Sequence, residues 1–102
     1  MACAGAHFNL GGLLQIQRKD IDGAEAAYRA AIAADPGYAA AHYNLGILLE
    51  ERAQEIAKSG GDLAVAAALF DECAQLWGFS MGVEHEWTRG AQANAALLRR
   101  RL

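Results

Sequence analysis

The sequence is poor in what interrupts helices and in what staples small folds. Proline occurs once in 102 residues, at Pro36. Proline removes a backbone donor and clashes with the preceding turn, so its scarcity leaves most of the chain free to be helical. Cysteine occurs twice, at Cys3 and Cys73, with no CxxC pair. That excludes a disulfide framework and points to a reducing compartment, the cytoplasm. No apolar run approaches the roughly 18 residues of a membrane span, so no membrane partner is expected. The opening residues, MACAGAHFNL, carry neither the basic stretch nor the unbroken apolar run of a signal peptide. Basic residues are few. Three of the nine, Arg99, Arg100 and Arg101, crowd the end, and the first 98 residues carry six basic against twelve acidic side chains. Nucleic acid demands a basic surface and is not an expected partner. The terminal arginines are read as cations complementing the dipole of a last helix rather than as a nucleic-acid patch.

Catalytic signatures are equally scarce. The chain has no GxSxG, HExxH or GxxxxGK[ST] motif, and its two serines, Ser59 and Ser80, have no placed histidine. No enzyme activity, catalytic residue or cofactor is expected. Glu50 with Glu51, and Glu84 with Glu86, are read as solvated helix faces. His7, His42 and His85 with the two cysteines are weighed as zinc ligands, but they fall at packing positions and in separate elements, so no metal site is assigned.

Alanine, by contrast, is abundant, hydrophobic residues make up 54% and charged residues 21%. Alanine has the best helix propensity, and an all-α fold follows. A methyl group buries little apolar area, so stability must come from close helix packing.

Residues 6–14, AHFNLGGLL, return at 41–49 as AHYNLGILL, with seven of nine positions identical. The offset is 35 residues, a repeat-protein period. Ala6, Leu10, Leu13 and Leu14, and their counterparts Ala41, Leu45, Leu48 and Leu49, share one helix face. Glycine inside a helix is unfavourable by about 1 kcal/mol relative to alanine, so Gly11 and Gly46 must mark a tight helix crossing. Each copy is followed by a second helix. One runs from Glu25 to Ala34, capped by Asp20 or Asp22 and stopped at Asp35-Pro36-Gly37. The other runs from Leu63 to about Trp77, capped by Asp62. The stretch around 52–59 has strong helix formers and extends the helix that starts near Ala39 to Ala57 or Lys58, with Glu55 and Lys58 as a supporting pair. Residues 78–83 are read as a linker, and about Glu84 to Arg100 as a last helix.

This pattern resembles the tetratricopeptide repeat, W-x2-L-G-x2-Y…A-x3-F…P. His7, Leu10, Gly11, Leu14, Ala24, Tyr28 and Pro36 carry the first copy; His42, Leu45, Gly46, Leu49, Ala66 and Phe70 carry the second. Histidine stands at the usual tryptophan in both, leucine replaces the first tyrosine, and the second copy is about eight residues longer. The resemblance implies one domain over 1–102: repeat one at about 4–37, repeat two at about 38–78 with its insertion near 52–59, and a capping helix at about 84–100. The implied fold is about five helices in antiparallel hairpins, stacked as a short right-handed solenoid. Leu10, Leu14, Ala24, Tyr28, Leu45, Leu49, Ala66 and Phe70 are expected to be buried.

The family relationship also implies a function, binding of a partner's peptide or helix in a concave groove. The groove residues are Phe8, Asn9, Tyr43, Asn44, Ile47 and Arg89. The two asparagines can pair with a ligand backbone, and Glu50 and Glu51 favour positive charge at one end. Asn9, Asn44 and Arg89 match three positions of the family's carboxylate clamp, but Gly5 and His85 replace its lysines, which weakens carboxylate capture. The alternatives are a structural piece of a longer array without activity of its own, and a small metal-binding protein. With two repeats and a cap, weak homo-oligomerisation through exposed Trp77 and Phe79 is also expected.

Overall fold

A computed structural model describes residues 3–102; Met1 and Ala2, the first two residues of the expected domain, lie outside the described residues. The chain forms α1 (Ala4–Ile16), α2 (Ile21–Ala34), α3 (Ala39–Lys58), α4 (Leu63–Met81) and α5 (Glu86–Arg100). No strand occurs among the described residues. Over the described residues the fold is all-α, five helices in a hairpin stack.

Local chemistry sets the boundaries. The Asp20 carboxylate accepts from the Gly23 amide at 2.9 Å, so α2 begins at Ile21, four residues before the expected start. Asp62 accepts from Ala64 and Val65 at 2.9 and 3.4 Å and opens α4. At α5 the cap is His85, whose Nδ1 accepts from the Trp87 amide at 3.1 Å. The expected linker at 78–83 is corrected. Residues 78–81 continue α4, and the chain turns at Gly82, whose φ of 97° suits glycine. Gly78 is tolerated inside the helix; the backbone breaks only where a left-handed conformation is required.

α1 packs on α2, α3 on α4, and α4 on α5, while α2 against α3 joins the two hairpins. The 52–59 stretch is helical as far as Lys58, as expected, and packing accounts for it. Ala53 is fully buried, and Ile56 and Ala57 lie on the core formed with Ala66, Ala67 and Phe70. Glu55 and Lys58 form no ion pair among the described residues. Leu45, Leu48 and Leu49 are essentially inaccessible, each stabilising the fold by about 1.5–3 kcal/mol.

Gly11 and Gly46 do sit at close crossings. A Cβ on Gly11 would lie 2.6 Å from the Tyr28 ring, and one on Gly46 2.5 Å from the Trp77 indole. These contacts also revise the repeat register. Gly11 meets a residue 17 positions later and Gly46 one 31 positions later, so the second hairpin holds 14 extra residues (31 against 17). That is about four turns, shared between α3 and α4. Cys73 and Trp77 therefore stand where Ala24 and Tyr28 stand in the first hairpin. Ala66 and Phe70, the expected counterparts, are buried two turns nearer the α3–α4 loop.

Two burial expectations fail. Leu10 is 46% exposed, although its counterpart Leu45 is 1% exposed. Helix α3 has α2 beside it, whereas no described helix covers that side of α1, and Leu13 is likewise bare. Leu14 is only half-buried. Trp77, expected at the surface, is 2% exposed because it roofs Gly46; Phe79 is exposed as expected.

Three arginines tie the helices together. Arg52 on α3 pairs with Asp22 and Glu25 on α2. Arg29 on α2 pairs with Glu25 at 3.0 Å and grips Glu72 on α4 with both terminal nitrogens, at 2.7 and 3.1 Å. Arg99 on α5 pairs with Asp71 on α4. A forked contact to one carboxylate fixes orientation as well as charge.

Candidate functional site

The helical repeat of α3 carries Tyr43, Ile47, Glu50 and Gln54 along one face, at spacings of four and three. A hollow opens on each side of this helix. Towards α1 the lining is Phe8, Asn9, Gly12, Leu13, Ile16, Gln17 and Asn44. Towards α5 it is Ile47, Glu50, Trp77, Glu86, Trp87, Gly90, Ala91 and Asn94, enclosing about 440 Å³.

The expected groove residues divide between these hollows. Phe8, Asn9 and Asn44 come together in the first, and Ile47 lies in the second. Tyr43 stands between, its ring stacked on Trp87 with centroids 5.7 Å apart and planes 18° apart. Phe8 leans on Tyr28 and Tyr38, at 5.9 and 5.3 Å. Arg89 is exposed and lines neither hollow. Asn9 is exposed and Asn44 half-buried. Asn44 lies beside the Tyr28 hydroxyl, which donates to Gln15 Oε1 at 2.8 Å. Burial raises the Tyr28 hydroxyl above its ordinary value, and Asn44 pulls the other way.

Trp77, Trp87, Glu86 and Asn94 are lining residues that the sequence reasoning missed. Trp77 Nε1 donates to the Tyr43 carbonyl at 3.2 Å, and its ring lies 5.4 Å from Trp87. The signal available was the aromatic pair itself, two tryptophans ten positions apart flanking a glycine-rich turn. Burial, with Glu51 next to it, raises the Glu50 carboxyl above its ordinary range.

His42, His85 and Cys73 are engaged separately. His42 Nε2 lies 2.8 Å from the Pro36 carbonyl, and its ring is 4.1 Å from Phe79. His85 spends its Nδ1 on the α5 cap, at one of the two clamp positions where lysine is expected. Cys73 is fully buried, its thiol directed at the Gly46 carbonyl at 3.1 Å and pushed up to about 12 by burial and by Glu50, whereas Cys3 is exposed. No three potential metal ligands converge among the described residues.

A larger hollow, about 930 Å³, lies elsewhere, where α3 and α4 outrun the first hairpin. Its floor is Ile21, Leu48, Ile56, Val65 and Leu69, and its rim includes Asp22, already paired with Arg52. The extra turns of the second hairpin create it by extending past their neighbour.

The sequence profile described as "Tetratricopeptide repeat" matches residues 27–58, from the middle of α2 to the end of α3. No curated protein and no solved structure gives a significant match. Among the described residues, no helix is long and apolar enough to cross a membrane. Taken with the two stacked hairpins, each closed on a glycine beneath an aromatic ring, the match over α2 and α3 supports a tetratricopeptide repeat within this chain, and that family generally works in protein–protein interaction and scaffolding rather than catalysis.

Proposed function

We propose that the chain binds an extended peptide or a helix of a partner protein along α3, using Phe8, Asn9, Tyr43, Asn44 and Ile47, with Arg89 at the margin. The observation that carries this reading is the shared hollow of Phe8, Asn9 and Asn44 beside a second one holding Ile47. One ligand lying along the exposed face of α3 meets both. The asparagine amides offer donors and an acceptor to a peptide backbone, and the aromatic rings offer rigid contact area. Two free thiols suit a reducing compartment, and we place the protein in the cytoplasm.

The test is Asn9→Ala combined with Asn44→Ala, with helicity followed by circular dichroism and partner capture by pull-down. Capture is expected to fall about tenfold while helicity holds. Unchanged affinity in that double variant and in Tyr43→Ala would move the binding site off this groove.

A second reading, a structural unit of a longer array, is favoured by α1. Ala6, Leu10 and Leu13 are bare, while their counterparts Ala41, Leu45 and Leu48 are buried. In such an array the second helix of a preceding hairpin covers that face. Fusing one further hairpin ahead of α1 is then expected to raise the Tm by several degrees, and no gain would remove this reading.

A further inference from the structure

We infer that the hollow between α3 and α5 is a subsite for a basic side chain, arginine or lysine, of the partner's peptide. The inference rests on the groove reading and adds the chemistry of the occupant.

The lining is apolar below and anionic at its edge. Ile47, Ala91 and Trp77 form the apolar part, and Trp87, 41% exposed, offers ring surface to the opening. At Gly90 nothing lies within 4 Å of where a Cβ would stand, so that side is open. Glu50 from α3 and Glu86 from α5 supply carboxylates from the two helices, and the remaining polar group, Asn94, is neutral. Among the described residues, none that is basic lines the hollow. Lys58 lies further along, in the next hollow with Gln54, Asn94 and Leu97, and Arg89 is not among the lining residues.

Charge pairing across the molecule sharpens the point. Arg29, Arg52 and Arg99 neutralise Glu25, Glu72, Asp22 and Asp71. Neither Glu50 nor Glu86 has an ion-pair partner among the described residues. Two unpaired carboxylates beside two indoles complement a cation. A bare metal ion is a poor fit, because no three ligating groups converge among the described residues. A long side chain with an apolar stem and a charged head fits both halves. The stem lies along Ile47 and Ala91, the head meets the carboxylates, and the exposed indole adds a cation–π contact.

The probe is an acetylated, amidated pentapeptide with arginine at the centre of glycines and serines. Its lysine counterpart is run beside it, with citrulline as the uncharged isostere. Each is titrated into the ¹⁵N-labelled protein while the Trp87 indole N–H and the Gly90 amide are followed by NMR. Arginine and lysine peptides are expected to shift both signals saturably, with a Kd of about 1–10 mM for one side chain in an open site. Citrulline is expected to leave them still. Glu50→Gln with Glu86→Gln is expected to weaken binding about tenfold in a protein of unchanged helicity. Equal shifts with citrulline, no saturable shift with either basic peptide, or an undiminished response in the double glutamine variant would each overturn the subsite. Signals that follow calcium chloride alone in the same way would overturn the basic side chain as occupant. If the subsite fails while partner capture still responds to Asn9→Ala with Asn44→Ala, the groove reading stands without it; loss of that response is what removes the groove.

Discussion

A single methyl group at position 46 tests how the second hairpin closes. In an open helix, Gly→Ala stabilises by about 1 kcal/mol. At Gly46 the new Cβ would lie 2.5 Å from Trp77 Nε1 and 2.7 Å from its Cδ1, inside any real contact distance. The indole must move, and it is 2% exposed, hydrogen-bonded to the Tyr43 carbonyl and in contact with Trp87. Overpacking costs about 1–3 kcal/mol and the strained hydrogen bond about 1 more. Against the helix gain, Gly46→Ala is expected to destabilise by about 1–3 kcal/mol, or about 4–8 °C in Tm for each kcal/mol. Gly90→Ala is the control, since its Cβ meets nothing, and it is expected to raise the Tm. Gly11→Ala falls between, because Tyr28 is equally close but α1, bare on one side, can shift away. Thermal unfolding of the three variants by circular dichroism decides the matter. A Tm for Gly46→Ala at or above that of the parent would refute the close crossing, and with it the revised repeat register.

Asp62→Ala removes the acceptor for two amides at the start of α4 and is expected to cost about 1 kcal/mol by urea unfolding. Lys19 holds a φ of 51°, so Lys19→Gly is expected to stabilise by about 1 kcal/mol in the same assay. In the native protein a thiol reagent should modify Cys3 quickly and Cys73 only after unfolding, as counting reacted thiols will show. Because burial pushes the native Cys73 thiol up to about 12 from an ordinary 9.0, the unfolded chain releases that proton first as pH rises, so its contribution to stability is lost progressively between those values. Urea midpoints at pH 8 and 11 should fall further in the parent than in Cys73→Ala, whose lower starting stability is the baseline. Trp77 is buried and unavailable for self-association, whereas Leu10, Leu13 and Ile16 form an exposed apolar stretch on α1; sedimentation should show a weak dimer that Leu10→Glu with Leu13→Glu disperses.

The five helices were legible because their signals were local. Asp20 and Asp62 are good caps, Pro36 is a stop, and the repeated AHxNLG segment marks two equivalent helices. The register of the second hairpin was not legible, for a definite reason. Ala66-x3-Phe70 and Cys73-x3-Trp77 have the same internal spacing and lie seven residues apart, about two helical turns, so both pairs present themselves to α3 at nearly the same angle. The contacts of Gly46 with the Trp77 ring and the Cys73 thiol separate them. Leu10 was misjudged because its pattern is that of Leu45, and pattern cannot report whether a neighbour is present. Of the groove residues, Phe8, Asn9 and Asn44 were brought together, while Tyr43 turned out to be engaged by Trp87. The α3–α5 hollow depends on where α5 docks, a tertiary fact that neither the propensity nor the spacing of Trp87 and Glu86 contains.

The bare face of α1 has a consequence for recognition. In a linear stack each hairpin is held by its nearest neighbours, and α1–α2 has one such neighbour while α3–α4 has helices on both sides. Fluctuations that open the molecule should therefore begin at α1 and carry off Phe8 and Asn9 while leaving Trp77, Trp87 and Glu50 in place. A ligand that touches only the α3–α5 hollow will bind the open and closed forms alike. One that also reaches Asn9 binds the closed form alone, and by mass action it shifts the population towards the fully docked stack. The same peptide backbone, lengthened by a few residues towards α1, would thus change from a passenger into a brace.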